Sequence, residues 1–335
     1  MKKKIAVFAL SALMILSLAA CGGTAGNSQP PPVPGGETPS DESYTVGIVQ
    51  LVQHPALDAA TQGFRDALSE KLGSKVSFDE QNASGDSATC AVIANLFVAS
   101  NVDLIMANAT PSLQAAQTAT STIPALGTSV TDYGTALDID NFTGTTGTNI
   151  SGTSDLPPLD QQAALFQDIF PDAKKVGILY CSADPNSKYQ AKVITEHLTA
   201  MGYTCKEYTF SDSNDLQPVA TLATSESDVL YLPTDNTIAS NIEIIKNVSL
   251  PVKVPVITGE EGTCKGAGVA TLSISYYDIG YTTGEMAYDI LTGGADPSTM
   301  EIRYAPKFTK KYNPEICQAL GITLSADYEA IDMTA

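Results

Sequence analysis

Short apolar runs alternate with amphipathic stretches along most of this chain. Residues 44–50 (YTVGIVQ) read as a strand, and the stretch after it sets Leu57, Ala60, Phe64, Ala67, Leu68 and Leu72 on one helical face, closed by Gly73. Residues 76–80 form a second strand. A polar turn at 82–86 then opens a helix over 88–99, with Ile93, Leu96 and Phe97 as its core positions. A strand over 103–107, a helix after Pro111 and a strand over 123–126 follow. Alternation of this kind predicts a parallel sheet with helices on both faces.

The pattern then repeats. Val46-Gly47-Ile48 returns as Val176-Gly177-Ile178 and Pro55 as Pro185, each 130 positions on. The turn at 82–86 has its counterpart at 211–215, residues 103–112 (DLIMANATPS) theirs at 228–237 (DVLYLPTDNT), and Ile123-Pro124-Ala125 theirs at Val254-Pro255-Val256. A period this long means two α/β lobes. Residues 144–158, small, polar and broken by Pro, read as a linker between them. Residues 269–277 read as an extended run leading into a helix over 280–291, the counterpart of 161–170, placed to exchange back onto the first lobe. A last strand near 301–305 recrosses. The fold class is therefore α/β, with two doubly wound parallel-sheet lobes and a multi-strand hinge suited to closing on a ligand. Lobe 1 comprises 44–152 with 276–303, and lobe 2 comprises 153–275 with 304–335.

Ahead of the lobes, Lys2-Lys3-Lys4 precede an apolar run at 5–20, shorter than the ~20 residues that span a membrane, which reads as a signal peptide over 1–20. Leu18-Ala19-Ala20-Cys21 resembles a bacterial lipobox, with Cys21 lipidated and residues 21–43, rich in Gly, Pro and Ser, as a tether. The protein is then extracytoplasmic and lipid-anchored to the outer face of the bacterial cytoplasmic membrane. A formal charge of −19 argues against nucleic acid as a partner. Neither the cysteines nor the two histidines, His54 and His197, have metal-binding spacing. Cys90, Cys181, Cys205, Cys264 and Cys317 read as buried free thiols, although Cys181 and Cys205 lie on successive strands and could be close.

Several blocks together carry a family resemblance: Gln50 with His54-Pro55-Ala56-Leu57-Asp58; Asp79-Glu80-Gln81-Asn82-Ala83; Ala109-Thr110-Pro111; Val130-Thr131-Asp132; Gly152-Thr153-Ser154-Asp155; Asn186-Ser187; and Pro233-Thr234-Asp235-Asn236. They resemble the ABC-transporter substrate-binding lipoproteins of the tryptophan/tyrosine-binding type. That resemblance implies the type I periplasmic-binding-protein fold and an aromatic amino acid ligand. Where the family commonly has Asp before the Tyr-Tyr pair, this chain has Ser275 before Tyr276-Tyr277.

A zwitterion sets the search for a site. Its carboxylate wants N–H donors, and a helix start at Thr110-Pro111-Ser112 supplies them with about half a positive charge; Thr131 adds a hydroxyl. Its ammonium wants a carboxylate, with Asp235, flanked by Thr234 and Asn236, first and Asp132 and Glu260 in support. Asp235 and Thr110 also suit plain helix caps. Asn186 and Ser187 open a helix in the second lobe, as ligand contacts or as caps, and Gln50 ends the first strand at the same edge. His54 reads as a turn residue beside Pro55. Tyr133, Tyr180, Tyr276 and Tyr277 are the aromatic candidates, with Tyr276 placed in the site. Glu260 and Glu261, consecutive on a strand, would face opposite ways and could not work as an acid/base pair.

With no triad, phosphate loop or metal cluster in the sequence, the reading is a binding protein and not an enzyme, without cofactor or metal. It is a monomeric receptor that hands a small-molecule ligand to an ABC permease, whose ATPase is a separate chain. Sugar or nucleoside binding, and ligand sensing for a signalling partner, are the alternatives.

Overall fold

The computed structural model describes residues 43–334. The signal-like run, Cys21 and the tether up to residue 42 lie outside the described residues. The described residues form one compact unit that holds both sheets.

Its first part runs β1 (Tyr44–Gln50), α1 (Pro55–Leu72), β2 (Val76–Asn82), α2 (Ser87–Ala99), β3 (Leu104–Asn108), α3 (Thr110–Ala119), β4 (Ala125–Val130), α4 (Tyr133–Leu137) and β5 (Ile150–Ser154). The second runs α5 (Leu159–Ile169), β6 (Lys175–Cys181), α6 (Pro185–Ala200), β7 (Thr204–Phe210), α7 (Ser213–Glu226), β8 (Val229–Leu232), α8 (Asn236–Ala239), α9 (Ile242–Ser249), β9 (Val256–Thr258), α10 (Glu261–Ala267) and β10 (Ala270–Ser273). Last come α11 (Tyr276–Gly293), β11 (Arg303–Tyr304), β12 (Thr309–Tyr312), α12 (Pro314–Leu320) and β13 (Glu329–Ala330).

The strands form two sheets, ordered β11-β5-β4-β3-β1-β2 and β13-β12-β10-β9-β8-β6-β7. The first is parallel throughout; in the second the β10–β12 pairing is antiparallel, and β13 follows the direction of β12. Helices cover both faces, so β3 and β8 are buried at every position, which is why they read as unbroken apolar runs. The repeat is visible in detail. Asp103, just before β3, accepts the Thr45 amide at 2.7 Å, and Asp228, just before β8, accepts the Lys174 and Lys175 amides at 2.8 and 2.9 Å. Each acid pins the start of the neighbouring strand.

Late in the chain, α11 returns to the first lobe and packs on α1 with the two backbones in contact. A Cβ built on Gly63 would lie 2.1 Å from the Tyr277 carbonyl oxygen, and one on Gly280 would lie 2.0 Å from that of Ala60. These two positions have room only for glycine. Close packing explains why α11 begins at Tyr276 and not, as its sequence suggested, at Gly280: the glycine is an interior contact, and Ser275 caps the helix by accepting the Asp278 amide.

Other expectations change as well. The stretch at 144–158 is not all linker, because β5 lies within it with all five residues buried. Its polar composition is tolerated because the hydroxyls are paired: Ser151 donates to Met300 O, Ser154 donates to Thr131 O, and Thr153 bonds Thr283. Leu96 is 57% exposed, since α2 is apolar all round and buries Ile93 and Phe97 instead. The strand expected at 123–126 is β4, which runs on to Val130 through the polar Thr128 and Ser129. Glu260 and Glu261 are not on a strand; Glu260 caps α10 and Glu261 opens it. Cys205 pairs in register with Val176, five residues before Cys181, so those thiols are apart, and all five described cysteines are free.

Candidate ligand-binding site

Parallel strands end at one edge of each sheet, where ligands collect in open α/β folds. Here the two edges meet. His54 Nε2 lies 3.2 Å from Asn236 Oδ1, and Gln190 Nε2 donates to Thr131 Oγ1 at 3.1 Å; in each pair one residue belongs to the first lobe and the other to the second. At the hinge, the Tyr276 hydroxyl donates to Asp155 Oδ2 at 2.9 Å, and Thr131 donates to Asp155 Oδ1 at 3.0 Å.

The acids favoured from the sequence are largely occupied by backbone. Asp132 accepts the Thr135 amide at 2.7 Å. Asp235 accepts Ile238 N at 2.8 Å with one oxygen and Cys181 N at 2.7 Å with the other. Glu260 accepts the amides of Gly262 and Thr263. They cap α4, α8 and α10, and Asp235 also holds the end of β6 through the Cys181 amide. In contrast, α3 has no side-chain cap, and the residue before it, Ala109, is held at φ +86°. Ser129, at the end of β4, is at φ +54°. Positive φ at a non-glycine residue costs about 1 kcal/mol or more and is concentrated at functional sites.

Buried side-chain atoms without a hydrogen-bond partner among the described residues cluster at these same ends. Of seven such atoms, five lie here, Asn108 Oδ1, Thr110 Oγ1, Ser129 Oγ, Asn186 Oδ1 and Thr234 Oγ1, and two, Thr195 Oγ1 and Thr271 Oγ1, lie elsewhere. Each such atom costs about 1–3 kcal/mol when left unpaired in a core, so five around one cleft point to a polar guest.

The electrostatics are one-sided. Asp155 is 3% exposed, and burial pushes its carboxyl up to about 6 against the opposing hydrogen bonds of Tyr276 and Thr131; no cation is among the influences on it. Asp184 is pushed up to about 8 by burial and by the adjoining charge of Asp235, whose own carboxyl is also raised by burial. Burial holds His54 below its ordinary value, against the pull of Glu260, Asp58 and Asp235. A buried carboxylate without a counter-charge suits a ligand that brings one.

The remaining candidates divide. Asn186 donates to Thr234 O at 2.8 Å, and Ser187 reaches the same oxygen at 3.2 Å. Gln50 is fully engaged within its own lobe by Val52, Asp58 and Thr61. Pro111 fills the first turn of α3, and Ser112 lies 3.6 Å from Cys90 Sγ in the core. Tyr133 points into the first lobe, donating to Thr153 O, and Tyr277 points outward to Asp66. Tyr180, bonded to Glu207, lines a flanking groove of about 550 Å³ with Thr135 and Tyr189. A cavity of about 760 Å³ borders the hinge and shares Glu260 and Tyr276. Sequence reasoning missed Asn108, Ser129, Asp155, Asp184 and Gln190. Asp155 ends one of the blocks that carried the resemblance; Gln190, in mid-helix, has no signal.

Two hinged sheets with buried polar side chains at their facing edges are the architecture of a protein that captures a small molecule by closing on it. The chain belongs to the ABC transporter substrate binding protein family, which matches residues 45–331. It is 38% identical over 260 residues to the tyrosine-binding protein of Clostridioides difficile (strain R20291), covering 77% of this chain and 75% of that one. Among solved structures, an ABC domain from Streptococcus pneumonia in complex with L-Trp superposes with a TM-score of 0.82 at 29% identity, covering 87% of this chain and all of that one. A ligand-free, open substrate binding protein with adhesive properties from Clostridium difficile superposes at 0.67 and 36% identity, covering 86% and 99%. The two lobes thus have the type I periplasmic-binding-protein fold, and the protein binds a substrate instead of transforming it. Among the described residues no helix is long and apolar enough to cross a membrane.

Proposed function

We propose that this protein is the extracytoplasmic receptor of an ABC importer and binds an aromatic amino acid, of the tyrosine or tryptophan kind, between its lobes. The observation that carries this reading is Asp155: a buried carboxylate at the hinge with no cation beside it, two strands along from the uncapped start of α3. An amino acid brings both complements at once. Its ammonium sits against Asp155, and its carboxylate takes the first-turn amides of α3 with the Thr110 and Ser129 hydroxyls. Asn186 and Thr234 contact it from the second lobe. The side chain lies toward Tyr276, whose ring adds about 0.5–1.5 kcal/mol beyond burial when stacked offset or edge-on.

The relatives named above supply the ligand class. The better superposition on the L-Trp complex than on the open structure, despite lower identity, agrees with the bonds across the cleft. Delivery to a permease and its ATPase as separate chains, and anchoring through a lipid on Cys21, complete the role. A thermal-shift screen against amino acids, sugars and nucleosides tests it, because a ligand that binds the folded state raises the melting point by mass action. Tyrosine or tryptophan should give the largest shifts; shifts with sugars alone would overturn the ligand class.

A further inference from the structure

Gln190, on α6, has no exposed surface, and both ends of its amide are committed. Oε1 accepts the Thr234 amide at 3.2 Å within the second lobe, and Nε2 donates to Thr131 Oγ1 in the first at 3.1 Å. Thr131 has one hydroxyl proton, which goes to Asp155 Oδ1 at 3.0 Å, and the other Asp155 oxygen takes the Tyr276 proton at 2.9 Å.

Every link in this chain has a forced direction. The Thr234 N–H can only donate, so the Gln190 oxygen must face it and the NH₂ must face Thr131. A flipped amide would set donor against donor. With a lone pair taken by Gln190, Thr131 points its proton at Asp155, which accepts from Thr131 and Tyr276 most strongly as a carboxylate, when neither oxygen carries a proton of its own. The chain is therefore complete only when the lobes are together, and it is strongest when Asp155 is ionised.

We infer that Gln190 is a positioning residue that couples the charge on Asp155, and so the seating of a ligand's cationic group, to closure of the lobes. The coupling to ligand rests on the function proposed above; the relay itself does not. A cation against Asp155 keeps it ionised, which keeps the Thr131 proton turned away from Gln190 and the bridge between the lobes intact. The other bridge, His54 to Asn236, has no such link to the hinge acid.

The Thr234 amide is the reporter, read by hydrogen exchange with single-residue NMR assignment on the purified protein without ligand. Thr131→Val removes the hydroxyl in the opposite lobe and should speed exchange at Thr234 at least tenfold. Gln190→Met should do as much, and the double variant should be no faster than Gln190→Met alone. Thr131→Ser, which keeps the hydroxyl, should restore protection and shows that loss of fold is not the cause. Unchanged Thr234 protection in Thr131→Val, or additive effects in the double variant, would overturn the relay.

L-Trp forms a separate arm. It should slow Thr234 exchange further in the wild type and much less in Gln190→Met; equal slowing in both would overturn the coupling to ligand. No response of the wild type to L-Trp or L-Tyr, with the ligand-free results as expected, would count against the ligand reading and leave the relay supported.

Discussion

His54 Nε2 stands 3.2 Å from Asn236 Oδ1, joining the start of α1 in one lobe to the start of α8 in the other. Asn236 is tied back in turn, its amide donating to Asp184 Oδ2 at 3.2 Å. The imidazole is neutral there because burial outweighs the pull of Glu260, Asp58 and Asp235. Opening the lobes would return it to water and to its ordinary value of about 6.5. The closed form thus binds fewer protons, and acid favours opening below about pH 6.5. His54→Gln keeps a donor for Asn236 but cannot titrate. Small-angle scattering should show wild type expanding between pH 7.5 and 5.5, with a smaller expansion in His54→Gln.

Ligand affinity carries its own pH dependence through Asp155. The ammonium needs the ionised carboxylate, and that group titrates near 6 in the buried site. Affinity for an aromatic amino acid should be level above pH 7 and fall about tenfold per unit well below 6. In Asp155→Asn the affinity should drop more than tenfold at pH 7.5, and calorimetry should find its acid limb flattened.

The Asp184–Asp235 pair bears on stability more than on binding. Asp184 is raised from 3.8 to about 8, so the folded protein holds an extra proton between those values. Stability present at low pH is lost as the pH rises through 8. Asp184→Asn retains an acceptor for the Asn236 amide and removes the second charge. It should melt several degrees above wild type at pH 8.5, with the gap closing by pH 5. A constant gap would mean the gain is not electrostatic.

Gly280→Ala tests the exchange of α11 onto α1. The new methyl meets the Ala60 carbonyl oxygen, rigid backbone that cannot move aside cheaply. Overpacking of this kind costs about 1–3 kcal/mol or more. Chemical denaturation should show the loss. Gly293→Ala, where a Cβ meets nothing within 4 Å, should be close to neutral.

The alternation and the repeat were legible because buried parallel strands leave apolar runs that helices cannot mimic when bounded by turns. What escaped were elements whose stability is tertiary. β5 is polar, and its hydroxyls find partners only in the folded protein, Ser154 at the end of β4 and Thr153 on α11. Gly280 resembles a helix start until α1 is seen against it. At the site, a helix-capping acid and a ligand-binding acid look alike in sequence, because both end a strand and open a helix. Asp132, Asp235 and Glu260 each cap a helix, a role compatible with ligand contact. Asp155 follows a polar strand that did not read as one, so its place at the cleft was hidden. The paired ends at 103–112 and 228–237 remain the frame of the cleft, but the carboxylate now proposed for the ligand lies at the hinge.

Because the chain contains no Trp, the fluorescence of L-tryptophan itself reports binding against a background free of indole. Titrating wild type and Asp155→Asn against L-tryptophan, with tryptamine and indole-3-propionate as analogues lacking one charge, tests the zwitterion clamp directly. The account predicts saturable binding of L-tryptophan to wild type, at least tenfold weaker binding of either analogue, and a loss in Asp155→Asn that is large for L-tryptophan and tryptamine but small for indole-3-propionate. Binding of indole-3-propionate as tight as L-tryptophan, or an Asp155→Asn affinity equal to wild type, would contradict it.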